Sequence, residues 1–227
     1  DRSQATLAIN LRTSLIFDPP DGRIPPRTAE GERITAQREE QARRRGGRFD
    51  SAENNQLSDR CIIMGGAGPP MMNMVYNSNY QIVQSRDHVM FLVEMIHDAR
   101  IIPLDGREQA DANVRQWMGT SRGHWEGDTL VVETANFNGK NPIRGSTENM
   151  RVTERFTRVD DETIIYRFTI DDEIMWTRPW SAELPMKKTI GPLFEHACHE
   201  GNYGLYNTLV GARREERLAA EAAAAQE

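Results

Sequence analysis

Residues 151–159 and 163–170 alternate polar and apolar side chains, and only Asp160-Asp161-Glu162 separates the two runs. A period of two places successive side chains on opposite faces of a strand, and no helix can build a face from it. Ile164, Tyr166, Phe168 and Ile170 share one side of the second run. Two such strands with a tight polar connection form an antiparallel pair with one dry and one wet face. Other segments follow suit. His124-Trp125-Glu126, the turn Gly127-Asp128 and Thr129–Thr134 read as a second hairpin. Val89–Val93 is a continuous apolar run, the pattern of a strand buried on both faces. Ile101-Ile102-Pro103-Leu104 stops at the turn Asp105-Gly106. Trp176–Lys188 is extended but carries Pro179 and Pro185, which places it at an edge or a bend. With short strands at Leu7–Asn10 and Thr13–Phe17, the count reaches about eight to ten. The expected fold is mainly β, an antiparallel barrel or sandwich.

Helices decorate this body at both ends. Thr28–Arg45 places Glu30 and Glu32 at its front and Arg43-Arg44-Arg45 at its back, which suits the helix dipole. Only Ile34 is strongly apolar there, so the helix rests on the body by one shallow face. Asp111–Met118 has Val114, Trp117 and Met118 at helical spacing before Gly119 and reads as a short helix. Asn207–Ala225 is rich in Ala, Arg and Glu and forms a terminal helix. The organisation is a β-rich domain over 1–206, with a helix near 28–45 and a loop at 65–80 inserted, and a helical tail over 207–227. The loop has no period of 2 or 3.6. Its Met71, Met72, Met74, Tyr76 and Tyr80 offer adaptable apolar contact, either to a partner or to the core beneath.

With 28 basic against 34 acidic residues the net charge is −6, the wrong sign for a dedicated nucleic-acid binder, and no apolar run is long enough for a transmembrane helix. No GxSxG, Walker loop, HExxH or paired CxxC occurs. Glu94, His97, Asp98 and Arg100 follow the apolar strand and supply acid–base groups. On a regular strand, however, His97 opposes the other three, and a structural ion pair of Glu94 or Asp98 with Arg100 is the favoured reading. Glu195-His196-Ala197-Cys198-His199-Glu200 is the densest set of ligand-type side chains, but its spacing does not demand a metal, and no cofactor is expected. Trp176, Arg178 and Trp180 could stack a planar ligand or simply pack at a sheet edge. Cys61 and Cys198 stand 137 positions apart: a disulfide if the chain is exported, two buried thiols if it is not. Residue 1 is Asp, which leads us to expect a processed or truncated start.

The strings Arg12–Pro26, Met95–Gly106, His124–Thr134, Trp176–Trp180 and Ala197–Tyr203 together resemble a large uncharacterised family of exported bacterial proteins. The resemblance spans about Arg12 to Arg214 and implies a periplasmic or secreted location. It also implies that Cys61 and Cys198 pair, and it brings no established activity. The expected function is an exported binding or accessory protein that holds a partner protein or small ligand, as a peripheral subunit of a larger membrane-anchored complex in one version. The alternative is an envelope lyase, hydratase or hydrolase using His97, Asp98, Glu94, Arg100, His199 and Glu200 on a small organic substrate.

Overall fold

A computed structural model describes residues 13–73 and 76–225. The order is β1 (Ile16–Asp18), α1 (Ala29–Arg44), β2 (Tyr80–Gln84), β3 (His88–Val93), β4 (Ala99–Pro103), β5 (Thr120–Glu126), β6 (Thr129–Ala135), β7 (Arg151–Asp160), β8 (Thr163–Asp171), β9 (Trp180–Lys187) and α2 (Tyr203–Ala224). One six-stranded sheet runs β1-β9-β8-β7-β6-β5 and a three-stranded sheet runs β2-β3-β4, with every pairing antiparallel. The larger sheet ends at β1 and β5 and does not close, so the fold is sandwich-like and not a barrel. The strand expected at Leu7–Asn10 lies outside the described residues.

The alternation read from the sequence sets the core. Val152, Glu154 and Phe156 on β7 and Tyr166, Phe168 and Ile170 on β8 face inward and are buried. An aromatic row then crosses the molecule. Phe91 on β3 meets Phe156 at 4.8 Å between centroids, Phe156 meets Tyr166 at 4.8 Å, and Phe168, Trp180 and Trp176 continue at 5.8 Å steps. Such contacts add to the area these rings bury.

Several local expectations change. β3 buries Val89, Phe91 and Val93 and leaves His88, Met90 and Leu92 partly open. It is dry on one face only, the outward His88, Met90 and Leu92 each keeping partial exposure. The N-terminal strand is Ile16–Asp18 and not Thr13–Phe17. Residues 111–118 form turns, not a helix: Asp111 Oδ1 accepts from Asn113 N at 2.8 Å, and Gln116 bridges to Phe137. The Asn136 amide donates to the carbonyls of Ala110 and Asp111. These side-chain bonds and the bridge outcompete one short turn of helix. α2 starts at Tyr203, earlier than Asn207, because the Asn202 side chain accepts from Leu205 N at 3.3 Å and caps it. β9 lies inside the sheet, yet among the described residues no strand pairs with Pro185 on the β1 side. Glu183 N–H donates to Leu15 O at 2.9 Å, so the residue two further on points the same way, beyond the end of short β1.

α1 is the solvated helix that its composition predicts, with Gly31 as its one buried residue. Thr28 caps it, accepting from Gly31 N at 2.9 Å, and Thr28 N–H donates to Met175 O at 3.1 Å. A Cβ at Gly31 would lie 2.5 Å from Met175 O, a backbone atom that cannot swing aside. Gly31→Ala gains about 1 kcal/mol of helix propensity but overpacks the contact by about 1–3 kcal/mol. A net loss of stability is therefore expected in urea denaturation, and a gain would refute this seating of α1.

Candidate functional site

The acid–base cluster does not form on a straight strand, because the chain reverses after Val93. Val93 N–H donates to Asp98 O at 2.8 Å, and a 3-10 turn at Met95–His97 closes the β3–β4 connection with Ile96 at φ 65°. Glu94 is buried and accepts from the side-chain amides of Asn77 at 2.5 Å and Asn79 at 2.9 Å. Its backbone N–H donates to Asn79 O at 3.1 Å. Glu94 thus anchors the end of the 65–80 loop.

Arg100 leaves this group altogether. From β4 it crosses to the larger sheet and binds Glu154 in a fork, Nη1 to Oε1 at 3.1 Å and Nη2 to Oε2 at 2.5 Å. Tyr166 donates to Glu154 Oε1 at 2.8 Å, and Met71 N–H donates to the Tyr166 oxygen at 2.8 Å. Glu154 is 0% exposed. Burial alone would drive the Arg100 pKa down, but the Glu154 carboxylate outweighs it and Arg100 stays charged. Burial pushes the Tyr166 phenol well above its ordinary value, and the charge of Glu154 adds to that. Tyr80, which donates to Gly66 O at 3.1 Å, is pushed up to about 12 by burial. The expected ion pair of Arg100 therefore exists, with Glu154 as partner in place of Glu94 or Asp98. No sequence motif marks Glu154 or Tyr166 as a site. The signal is instead that Glu154 sits in the inward phase of an alternating strand, where a charge requires a partner.

The two sequence-distant clusters do approach one another. Cys61 and Cys198 form a disulfide with Cα atoms 5.8 Å apart. Cys198 packs with Met64 and Tyr80 against buried Ala67, Val93, Met95 and Ile96, so the 95–97 turn and the 195–200 segment share one apolar patch. His199 and Glu200 are exposed on its outside, and Asp98 is partly open. No group of three His, Cys, Asp or Glu side chains among the described residues is arranged to hold a metal.

The expected binding residues are divided. Met71 is buried and Met72 packs against the main core, so this part of the loop folds inward. Tyr80 is half-buried, Tyr76 is exposed, and Met74 lies outside the described residues. Trp176 and Trp180 are buried in the aromatic row, without the open ring face that stacking a ligand needs. Arg178 is exposed and pairs with Asp18 at 2.6 Å. The sandwich recruits both indoles: Trp180 meets Phe168 and Trp176 edge to face.

Large apolar side chains are exposed instead along residues 189–224. Ile190 is 87% exposed, Tyr203 71% and Tyr206 65%, and Phe194, Val210 and Leu218 are also open. On α2, Tyr203, Tyr206 and Val210 share a face at helical spacing. Leu205, Leu209 and Ala212 lie on a partly covered face, beside which Arg213 donates to Asp50 O at 2.8 Å and Phe49 O at 3.3 Å. The helix rests on the body with its other face uncovered. Compared with protein-family models, with curated proteins and with solved structures, the chain matches none.

Proposed function

We propose that the chain is an exported β-rich binding or accessory protein, acting in the periplasm or outside the cell, whose C-terminal arm docks on a partner protein. The observation that carries this reading is the uncovered apolar row of Tyr203, Tyr206 and Val210 on a helix held to the body. Contiguous apolar side chains left in water mark interaction surfaces. Tyr is suited to this, being rigid, amphipathic and inexpensive to order. The disulfide supports an oxidising compartment, where such bonds persist. The acid–base alternative has less support, because Glu94 is engaged by two Asn amides and Arg100 by Glu154.

A photo-crosslinking side chain at position 206, in cells that naturally make the protein, is expected to give a discrete protein adduct. The same group at exposed Arg86, and the Tyr203→Ser change combined with position 206, are expected to lose it. Equal adducts from both positions, or none from 206, would remove the arm as a docking surface.

A further inference from the structure

The layer between the two sheets runs out at one end of the sandwich, and its last residues are left open. Trp125 on β5 is the cross-strand partner of Leu130, and Leu130 that of Phe156, both buried. Opposed residues in an antiparallel pair share a face. Trp125 therefore points to the core side of the larger sheet, yet it is 46% exposed. Arg158 follows Phe156 by two positions on β7 and continues the same face outward. Gln84 ends β2 opposite buried Val89, on the core side of the smaller sheet. These three residues, with Asp128 of the β5–β6 turn and the Asp160-Asp161 turn, line an open groove of about 690 Å³.

The chemistry of the lining is mixed in a particular way. Trp125 supplies a broad apolar face. Arg158 Nε donates to Asp160 O at 3.1 Å and Nη2 to Asp161 Oδ1 at 3.0 Å, which leaves Nη1 as a donor. Gln84 offers both an amide donor and a carbonyl acceptor, and Asp128 offers acceptors. Three carboxylates against one guanidinium disfavour an anion such as a phosphate or a sulfated chain. A ligand with a flat apolar face and a rim of hydroxyls, each able to donate and accept, satisfies all of these groups together. The open shape admits a chain of such units.

We propose that this mouth of the sandwich is a binding site for neutral carbohydrate, with a sugar ring stacked on Trp125 and its hydroxyls shared among Asp128, Gln84 and Arg158. The site is separate from the C-terminal arm and stands or falls without it.

The test is calorimetric titration of the purified full chain with two neutral probes, a hexasaccharide of glucose and one of N-acetylglucosamine. Saturable binding of at least one is expected. Trp125→Ala should weaken it about tenfold or more, a loss of about 1.4 kcal/mol, whereas Trp125→Phe, which keeps a ring, retains most of the affinity. Asp128→Asn is the second variant. It lies on an exposed turn, so its folding is not at issue, and it too should weaken binding. Thermal melts unchanged from the parent would show that the variants remain folded. Failure of both probes to bind overturns the proposal. So does binding undiminished in folded Trp125→Ala, or tighter binding of choline or of a sulfated glycan than of either neutral probe.

Discussion

Glu154→Ala is expected to cost about 3–5 kcal/mol, enough to unfold much of the population of a domain of ordinary stability at moderate temperature. The reason is the company Glu154 keeps. Its carboxylate is the only counter-charge bonded to Arg100 among the described residues, and both side chains are out of water. It also accepts from Tyr166, which in turn receives the Met71 N–H. Removing the carboxylate leaves the guanidinium without a counter-charge and the phenol proton without an acceptor, and it loosens the loop that carries Met71. Glu154→Gln keeps the shape and acceptor and should lose less. The double change Arg100→Met with Glu154→Leu removes both charges and should recover most of the loss. Urea denaturation of the four proteins checks this, and a Glu154→Ala variant within about 1 kcal/mol of the parent would refute it. The tyrosines give a second readout. Tyr80 and Tyr166 hold their protons more tightly folded than unfolded, so their contribution is whole below the ordinary phenol value near 10. It is lost as pH rises through the folded values, about 12 for Tyr80. Phenolate absorbance from these two should therefore appear together with unfolding and not before it.

Breaking the disulfide should have the next largest effect. Cys61 and Cys198 close a loop of 137 positions, and in the chain-entropy description such a bond is worth about 2–5 kcal/mol. Asn202, bonded to Asp59 O at 2.8 Å, and Arg213, bonded to the 49–50 backbone, also hold the region to the body. Cys61→Ala with Cys198→Ala, or the parent in reductant, should unfold at lower urea. A protease should then cut between Lys188 and Tyr203 before it attacks the sheets. An unchanged midpoint, or first cleavage within β5–β8, would show that the arm is held by other means. The proposed docking surface would depend on this tether, since Tyr203 follows Cys198 by five positions.

The strands were legible where the alternation was strong. β7, β8 and the β5–β6 hairpin follow directly from the inward row of apolar residues and the polar turns. Two strands of the small sheet, β3 and β4, were legible and β2 was not, nor was the sheet's one dry face, because a run such as Val89–Val93 looks the same whether a second layer covers it or not. Residues 111–118 misled for a physical reason. Helical spacing of three apolar residues is a weak preference, and side-chain bonds from Asp111 and Asn136 decide the conformation. The site was less legible still. Glu94 and Arg100 are close in sequence, but a turn with Ile96 at positive φ sends one to the side-chain amides of Asn77 and Asn79 and the other across to the opposite sheet.

By itself the sequence determined the antiparallel β character, the solvated α1 and the presence of a terminal helix, since each rests on periodicity and composition that act within a few residues. The tertiary structure alone decided that the larger sheet stays open, that Arg100 meets Glu154, and that Trp176 and Trp180 are core while Trp125 is left in a groove. Those outcomes depend on which surfaces from distant parts of the chain cover one another, and periodicity within a strand carries no information about what lies above it.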